Sequence, residues 1–383
     1  MKKNIKLDDY FCCTRYALFY FDIQIKKLYI TKEALLKELS IPYMSYRRSK
    51  EENTNIGKKI IYKLEQYFKM NSVNSSKKVE YEDLLNQILT RFYYRGENLQ
   101  EFEPVLEKCI EENTYMKPIF QLFALLIRMA SNKSIESIAQ EEYACFQELL
   151  PYKKHYYISP FVELLVMLEI SFSGDRLIEF DKDIYFSEEM KGLVYYSYNA
   201  NAYLAKRFDL CLYYAKECKS YLIKDSNYKR IITLNLSYFA CLNYIGEYHK
   251  CMKEARAQLF YLYESYPNTD LVYFTEIHYY TACLGAKNYK EVIEEHIHKE
   301  DYNCYDYVFL FLATFHYDKK LFKELTRKYK NEAEHTEALL EKYKSLIENL
   351  ISYLTTKKKA YYLDKINRSE LNIGVKDIIL KFY

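Results

Sequence analysis

Glycine and proline are scarce in this chain: its 383 residues include seven glycines and six prolines. Sheet-rich folds draw on both for their tight turns. A dinucleotide or P-loop phosphate site needs a cluster of glycines. Both kinds of protein are therefore poor fits. Tryptophan is absent, and 45 tyrosines with 22 phenylalanines supply the aromatic content. Tyrosine can pack between helices while its hydroxyl stays wet. Long apolar runs are missing too. The most apolar stretches, 119–127, 161–170 and 307–315, each hold about ten residues, which suits buried helices rather than membrane spans. What remains is 50% hydrophobic and 28% charged. That is material for two domains or one long repeat array, and its few breakers point to an all-α fold with short loops.

The opening lysines Lys2, Lys3 and Lys6 are followed by Asp8, Asp9 and Arg15, so this segment does not read as a signal peptide. Ten cysteines occur without a CxxC pair, mostly within apolar helical patterns. They read as reduced thiols in the core of a cytoplasmic protein. Charge is distributed unevenly. Residues 1–78 carry seventeen basic and eight acidic side chains (+9), and the remainder carries 39 and 45 (−6). A basic head on a mildly acidic body fits nucleic-acid binding, and equally fits lysines that only solubilise the first segment. The polar run Asn71-Ser72-Val73-Asn74-Ser75-Ser76-Lys77-Lys78 lacks apolar periodicity. It divides the chain into a head over 1–70, a linker over 71–80 and a body over 81–383.

In the body, helical patterns alternate with turn signals such as Ser173-Gly174-Asp175, Lys206-Arg207-Phe208, Ile245-Gly246-Glu247-Tyr248, Ala286-Lys287-Asn288-Tyr289 and Asp318-Lys319-Lys320. Arg95-Gly96-Glu97-Asn98 and Ser131-Asn132-Lys133 belong to the same series. Each interval has room for two helices. Tyr248, Cys251 and Ala255 place an aromatic after a glycine turn and small residues three and seven positions later. Phe208, Cys211, Ala215 and Cys218 repeat that register. Small residues let paired helices approach closely while the aromatic fills the turn. The pattern resembles the tetratricopeptide (TPR) repeat, but its spacing of 40 and 41 residues between Phe208, Tyr248 and Tyr289 exceeds the usual ~34. The resemblance implies a right-handed superhelix of helix pairs. Residues 328–355 read as one long amphipathic helix, and Ile378-Ile379-Leu380 as a cap on the last repeat.

The head reads as four helices. An apolar one spans about 8–27. Thr31 is an N-cap for a second with Leu35, Leu36 and Leu39 on one face, and Ser40-Ile41-Pro42 ends it. A third starts at Pro42 and a fourth runs from Ile56 to Phe68. The order resembles a repressor-type helix-turn-helix, with Leu35, Leu39, Ile41 and Tyr46 packing inward. The resemblance implies that Tyr43, Met44, Arg47 and Arg48 face outward, with Tyr43, Arg47 and Arg48 contacting double-stranded DNA. Leu36, Ser40 and Ser49 stand where the motif usually has alanine, glycine and an apolar residue.

No catalytic constellation, metal-ligand spacing or cofactor signature stands out, so the expectation is a non-enzyme without cofactors. His296-Ile297-His298 reads as solvated surface rather than a metal site. Vicinal Cys12-Cys13 reads as buried. In a TPR array the first helix of each pair lines the inner groove. That register turns Tyr196, Tyr203, Asn243, Thr281 and Tyr317 inward as candidate peptide contacts. Asparagine can bond both polar groups of a peptide main chain.

A helix-turn-helix head, a short linker and an irregular TPR body together resemble the peptide-sensing regulators of Gram-positive bacteria, the Rap, Rgg, NprR, PlcR and PrgX group. The resemblance implies a cytoplasmic homodimeric transcription regulator of the quorum-sensing kind, controlled by a short signalling peptide. Peptide binding would shift the population of superhelix curvatures and move the two heads against DNA half-sites. A TPR adaptor holding a partner protein's segment, or a Rap-like inhibitor of a response-regulator pathway without DNA binding, are the alternatives.

Overall fold

The computed structural model describes residues 14–51, 55–94, 99–130, 140–154, 158, 160–299, 302–332, 338–368 and 378–382. Among the described residues the fold is all-α, with no strand. No helix there is long and apolar enough to cross a membrane. The chain forms two compact units, Met1–Leu234 and Asn235–Tyr383.

The first unit begins with α1 (Thr14–Lys27), α2 (Lys32–Glu38), α3 (Tyr43–Glu51) and α4 (Asn55–Tyr67), followed by α5 (Ser75–Tyr93). After these come α6 (Glu103–Glu111), α7 (Lys117–Ala130), α8 (Gln140–Leu149), α9 (Phe161–Phe172), α10 (Lys191–Leu204) and α11 (Phe208–Lys224). Helices α7 and α9 are apolar on nearly every face and buried accordingly. Helix α1 joins that core. The rings of Tyr16 and Phe19 lie 5.9 and 5.6 Å from Phe161, and Phe19 meets Tyr152 edge-on at 5.5 Å. This corrects the expected division at residue 70. The first helix buries its aromatic face in the body, so 1–70 is not a separate compact unit. The expected linker is also shorter. Asn74 caps α5 by accepting from the Lys77 N–H at 2.9 Å, and helix replaces linker from Ser75 onward.

Helix α12 (Tyr228–Ile245) crosses the boundary between the units. Its first turn holds α5: Asn227 Nδ2 and Arg230 Nε donate to the Tyr93 carbonyl at 2.6 and 2.8 Å. The second unit continues with α13 (Tyr248–Ser265), α14 (Asp270–Gly285), α15 (Tyr289–His296), α16 (Cys304–Tyr317), α17 (Lys319–Glu332), α18 (Ala338–Thr355) and α19 (Lys359–Arg368). Of the helix expected over 328–355, residues 328–332 are helical within α17 and 338–355 form α18, and the residues between them lie outside those described. Helices α10 and α11 pair along their length, as do α13 and α14. Cys211, Ala215, Cys218, Cys251 and Ala255 are all buried at the expected small positions. At the close approach of α13 and α14, Gly285 leaves no room for a side chain: a Cβ there would lie 2.4 Å from the Tyr248 ring.

Six helix ends share one device. At Ser40, Lys69, Lys206, Ser226, Gly246 and Lys287 the chain turns left-handed, and two N–H groups reach back to the preceding turn. At Lys206, for example, the Lys206 N–H bonds Tyr203 O at 3.0 Å and the Arg207 N–H bonds Ala202 O at 2.8 Å. Glycine normally fills this position because a Cβ is strained there. Here glycine fills one of the six. The 206, 246 and 287 turns fall within the expected boundaries. Those at Arg95–Asn98 and Ser131–Lys133 lie outside the described residues.

Candidate nucleic-acid interface

The α2–α3 pair is built from local signals. Thr31 caps α2 by accepting from the Ala34 N–H at 3.3 Å. Leu35 and Leu36 are buried, while Leu39 is half-buried. Ser40 takes the left-handed turn at φ 52°, although it carries a Cβ. From α4, Lys63 Nζ donates to the carbonyls of Leu39 and Ser40 at 2.9 and 3.2 Å. It thereby places a cation at the negative end of α2. Ile41 and Tyr46 are buried as expected.

On α3 the inward sector holds Tyr46, Ser49 and Lys50, and the outward sector holds Tyr43, Met44, Arg47 and Arg48. Tyr43 is 49% and Met44 56% exposed, and both arginines are exposed. Inward, the pair is held by one carboxylate of α1. Tyr46 Oη donates to Asp22 Oδ1 at 2.7 Å and to Leu18 O at 3.2 Å. Lys32 of α2 pairs with Asp22 at 2.7 Å, and Lys50 of α3 pairs with its other oxygen. Burial pushes the Asp22 carboxyl up, but the bonds from Lys32, Lys50 and Tyr46 outweigh it and hold the group below its ordinary value. Ser49, at the position usually apolar, is 1% exposed and its Oγ has no hydrogen-bond partner.

The candidate peptide residues do not gather in the same way. Tyr196 and Tyr203 belong to the first unit, whereas Asn243, Thr281 and Tyr317 belong to the second. Tyr203 and Tyr317 are exposed, at 38% and 60%. Tyr196 is half-buried and lies under the Arg230 guanidinium, 4.7 Å from its ring centre. Asn243 and Thr281 correct the expectation, because both are buried. Asn243 Nδ2 donates to the His278 carbonyl at 2.9 Å, and Thr281 Oγ1 donates to Ile277 O one helical turn back. Both donate to helix backbone, and the buried Asn243 Oδ1 has no hydrogen-bond partner.

A further expectation changes. His296 is 2% exposed, bonded through Nδ1 to Asp306 at 2.8 Å and packed edge-on against Tyr280, so only His298 is solvated. Ile378 and Ile379, expected in a cap on the last repeat, are buried. Lys381 lies over the rings of Tyr244 and Tyr248, and Phe382 packs near Tyr248, at the α12–α13 turn. Burial pulls the Lys381 ammonium down to about 8. Cys12 and Cys13 lie outside the described residues. Among the described residues no cluster of histidine, cysteine and carboxylate side chains is grouped to hold a metal.

Local pattern in the sequence does not reveal the Asp22 clamp, the bonds from Arg230 to the end of α5 or the place of Lys381 and Phe382. Each joins residues too far apart for helical periodicity to register. No family model, curated protein or solved structure matches this chain.

Proposed function

We propose that this chain is a cytoplasmic transcription regulator that reads double-stranded DNA with α3. One observation carries the reading. The helix-turn-helix register assigns Tyr43, Arg47 and Arg48 outward and Ile41 and Tyr46 inward, and the five side chains are exposed and buried accordingly. Arginine on such a face can bond guanine in two places or clamp phosphate. The Asp22 clamp supports it by holding α2 and α3 in one orientation against α1.

The controlling ligand in this reading is a short signalling peptide, and the working form a homodimer that spans two half-sites. Of the candidate peptide residues, Tyr203 in the first unit and Tyr317 in the second are exposed, at 38% and 60%, and each is a candidate contact within its own unit. The test is duplex binding by fluorescence anisotropy across a salt series, using fragments from beside the chain's own gene. Arg47→Ala with Arg48→Ala should weaken binding and reduce the slope of log K against log salt by about 1–2. An unchanged slope would remove α3 from the interface.

A second reading, an adaptor for a partner protein segment, has support in Phe260, Tyr263 and Phe274. These are 67%, 50% and 46% exposed on α13 and α14. Large exposed aromatics are common anchors at protein interfaces. An adaptor shows no sequence preference among the DNA fragments.

A further inference from the structure

In the second unit the aromatic residues that open α13 and α15 are covered in different ways. Tyr289, which opens α15, stacks on His316 near the end of α16, with centroids 5.3 Å and planes 14° apart. Tyr248 opens α13, and where His316 stands near the end of α16, glycine ends α14: a Cβ at Gly285 would lie 2.4 Å from the Tyr248 ring. The ring and the cation beside Tyr248 come instead from residues outside the paired helices. Phe382 lies 6.5 Å away, centroid to centroid. Lys381 Nζ sits 5.3 Å from the centre of the Tyr248 ring and 5.7 Å from that of Tyr244. The same short segment buries Ile378 and Ile379, at 5% and 0% exposure.

Two features make this seat exchangeable. The Lys381 ammonium has given up part of its water, and among the described residues no carboxylate pairs with it. Ring faces attract a cation. Here they do not replace its hydration in full, and burial leaves the group at about 8. The surface beside the segment is also left uncovered. Tyr244 and Ile245 remain 64% and 49% exposed at the left-handed Gly246 turn. A ligand with the same aliphatic pair and cation, and more apolar reach, would cover more of that surface.

We propose that the α12–α13 turn is a peptide-docking surface, occupied here by the chain's own residues 378–382, and that it takes in exchange a short peptide in which a pair of branched aliphatic residues is followed by a cation and an aromatic residue. The aliphatic pair would take the buried places of Ile378 and Ile379, the cation the place over Tyr244 and Tyr248, and the aromatic residue the place beside Tyr248. An acidic residue in the cation's position would meet the negative faces of the two rings. Tyr248 also fills the gap at Gly285 between α13 and α14, so whatever docks on this ring touches the residue that closes that seam. Under the regulator reading above, the signalling peptide would act by displacing 378–382. That control rests on the regulator reading, whereas the docking itself does not.

The test uses full-length chains and, as probe, a fluorescently labelled peptide with the sequence of residues 376–383, read by anisotropy. A tethered segment competes at an effective concentration on the order of millimolar. For a probe that binds at about 0.1 mM, the unaltered chain should therefore bind about tenfold more weakly than a chain carrying Ile379→Asp with Lys381→Glu, whose own segment is unseated. On the unseated chain, a probe with Lys381→Glu should bind about tenfold more weakly and one with Lys381→Arg as well as the original. Tyr244→Ala added to the unseated chain should weaken the probe severalfold. Circular dichroism shows whether the unseated chain keeps its helices. Should it lose them, exchange is read in the unaltered chain: the Lys381→Arg peptide, distinct in mass, should speed hydrogen exchange at the amides of 378–382. Equal probe binding by the unaltered and unseated chains overturns the proposal. So does equal binding of the Lys381→Glu probe, or hydrogen exchange of 378–382 indifferent to added peptide. Failure of the regulator reading would show separately, as duplex binding indifferent to Arg47 and Arg48 while the peptide still docks.

Discussion

The α2–α3 pair and the α13–α14 pair are each two helices set against one another, but they are held by different forces. The α2–α3 pair depends on charge: one buried carboxylate, Asp22, takes bonds from Lys32, Tyr46 and Lys50. The α13–α14 pair depends on shape: Cys251, Ala255 and Gly285 are small enough for the helices to close, and Tyr248 fills the gap beside Gly285. Charge fixes the orientation of a short basic unit that has little apolar surface to bury. Shape suffices for longer helices with continuous apolar seams. The first should respond to pH, and the second to side-chain volume.

Three perturbations would sharpen that contrast. Asp22→Ala removes the centre of the clamp and leaves two partly buried ammonium groups facing each other. We expect a loss of about 2–3 kcal/mol in chemical denaturation, less than the ~3–5 of a fully buried pair because both lysines keep some contact with water. Ala255→Leu overpacks the other seam and should cost about 1–3 kcal/mol. Acidification separates the two pairs. A carboxyl held below its ordinary value contributes stability that is present above the unfolded pKa of about 3.9 and lost as pH falls through the lower folded value. An acid titration followed at α3 should therefore show loosening below about pH 4 that Asp22→Ala no longer shows. If both proteins lose α3 at the same pH, the clamp is not the acid-sensitive element.

The smallest effects are gains. Ser49→Ala removes a buried hydroxyl without a partner and should stabilise the chain by about 1 kcal/mol. Lys206→Gly relieves a left-handed residue that carries a Cβ, with a gain of up to about 1 kcal/mol offset by glycine's greater freedom in the unfolded chain. Thermal melts of these two variants beside Gly246→Ala, which should lose stability, test whether the shared turn is strained wherever glycine is missing.

Much of the fold was legible from local pattern. Scarce glycine and proline, helical periodicity and the cap at Thr31 are properties of a few adjacent residues. So are the small residues at 211, 215, 251 and 255, and the outward sector of α3. A helix of given sequence presents the same stripe whatever it meets, so burial of Tyr46 and exposure of Arg47 follow from spacing once the apolar face is known. The left-handed turns without glycine were less legible. Lysine and serine do not announce a positive φ, and Ser226 was passed over although its geometry matches that at Gly246.

The sequence by itself thus determined an all-helical chain, the register of its paired helices and the outward basic face of α3. All of these are set by neighbours within about two turns. Only the tertiary structure decided that α1 belongs to the core of the first unit, that Asn243 and Thr281 satisfy backbone inside the second, and that 378–382 returns to Tyr244 and Tyr248. These outcomes depend on which surfaces meet across tens to more than a hundred residues, and hydrophobic contact carries no mark of its partner in the local pattern.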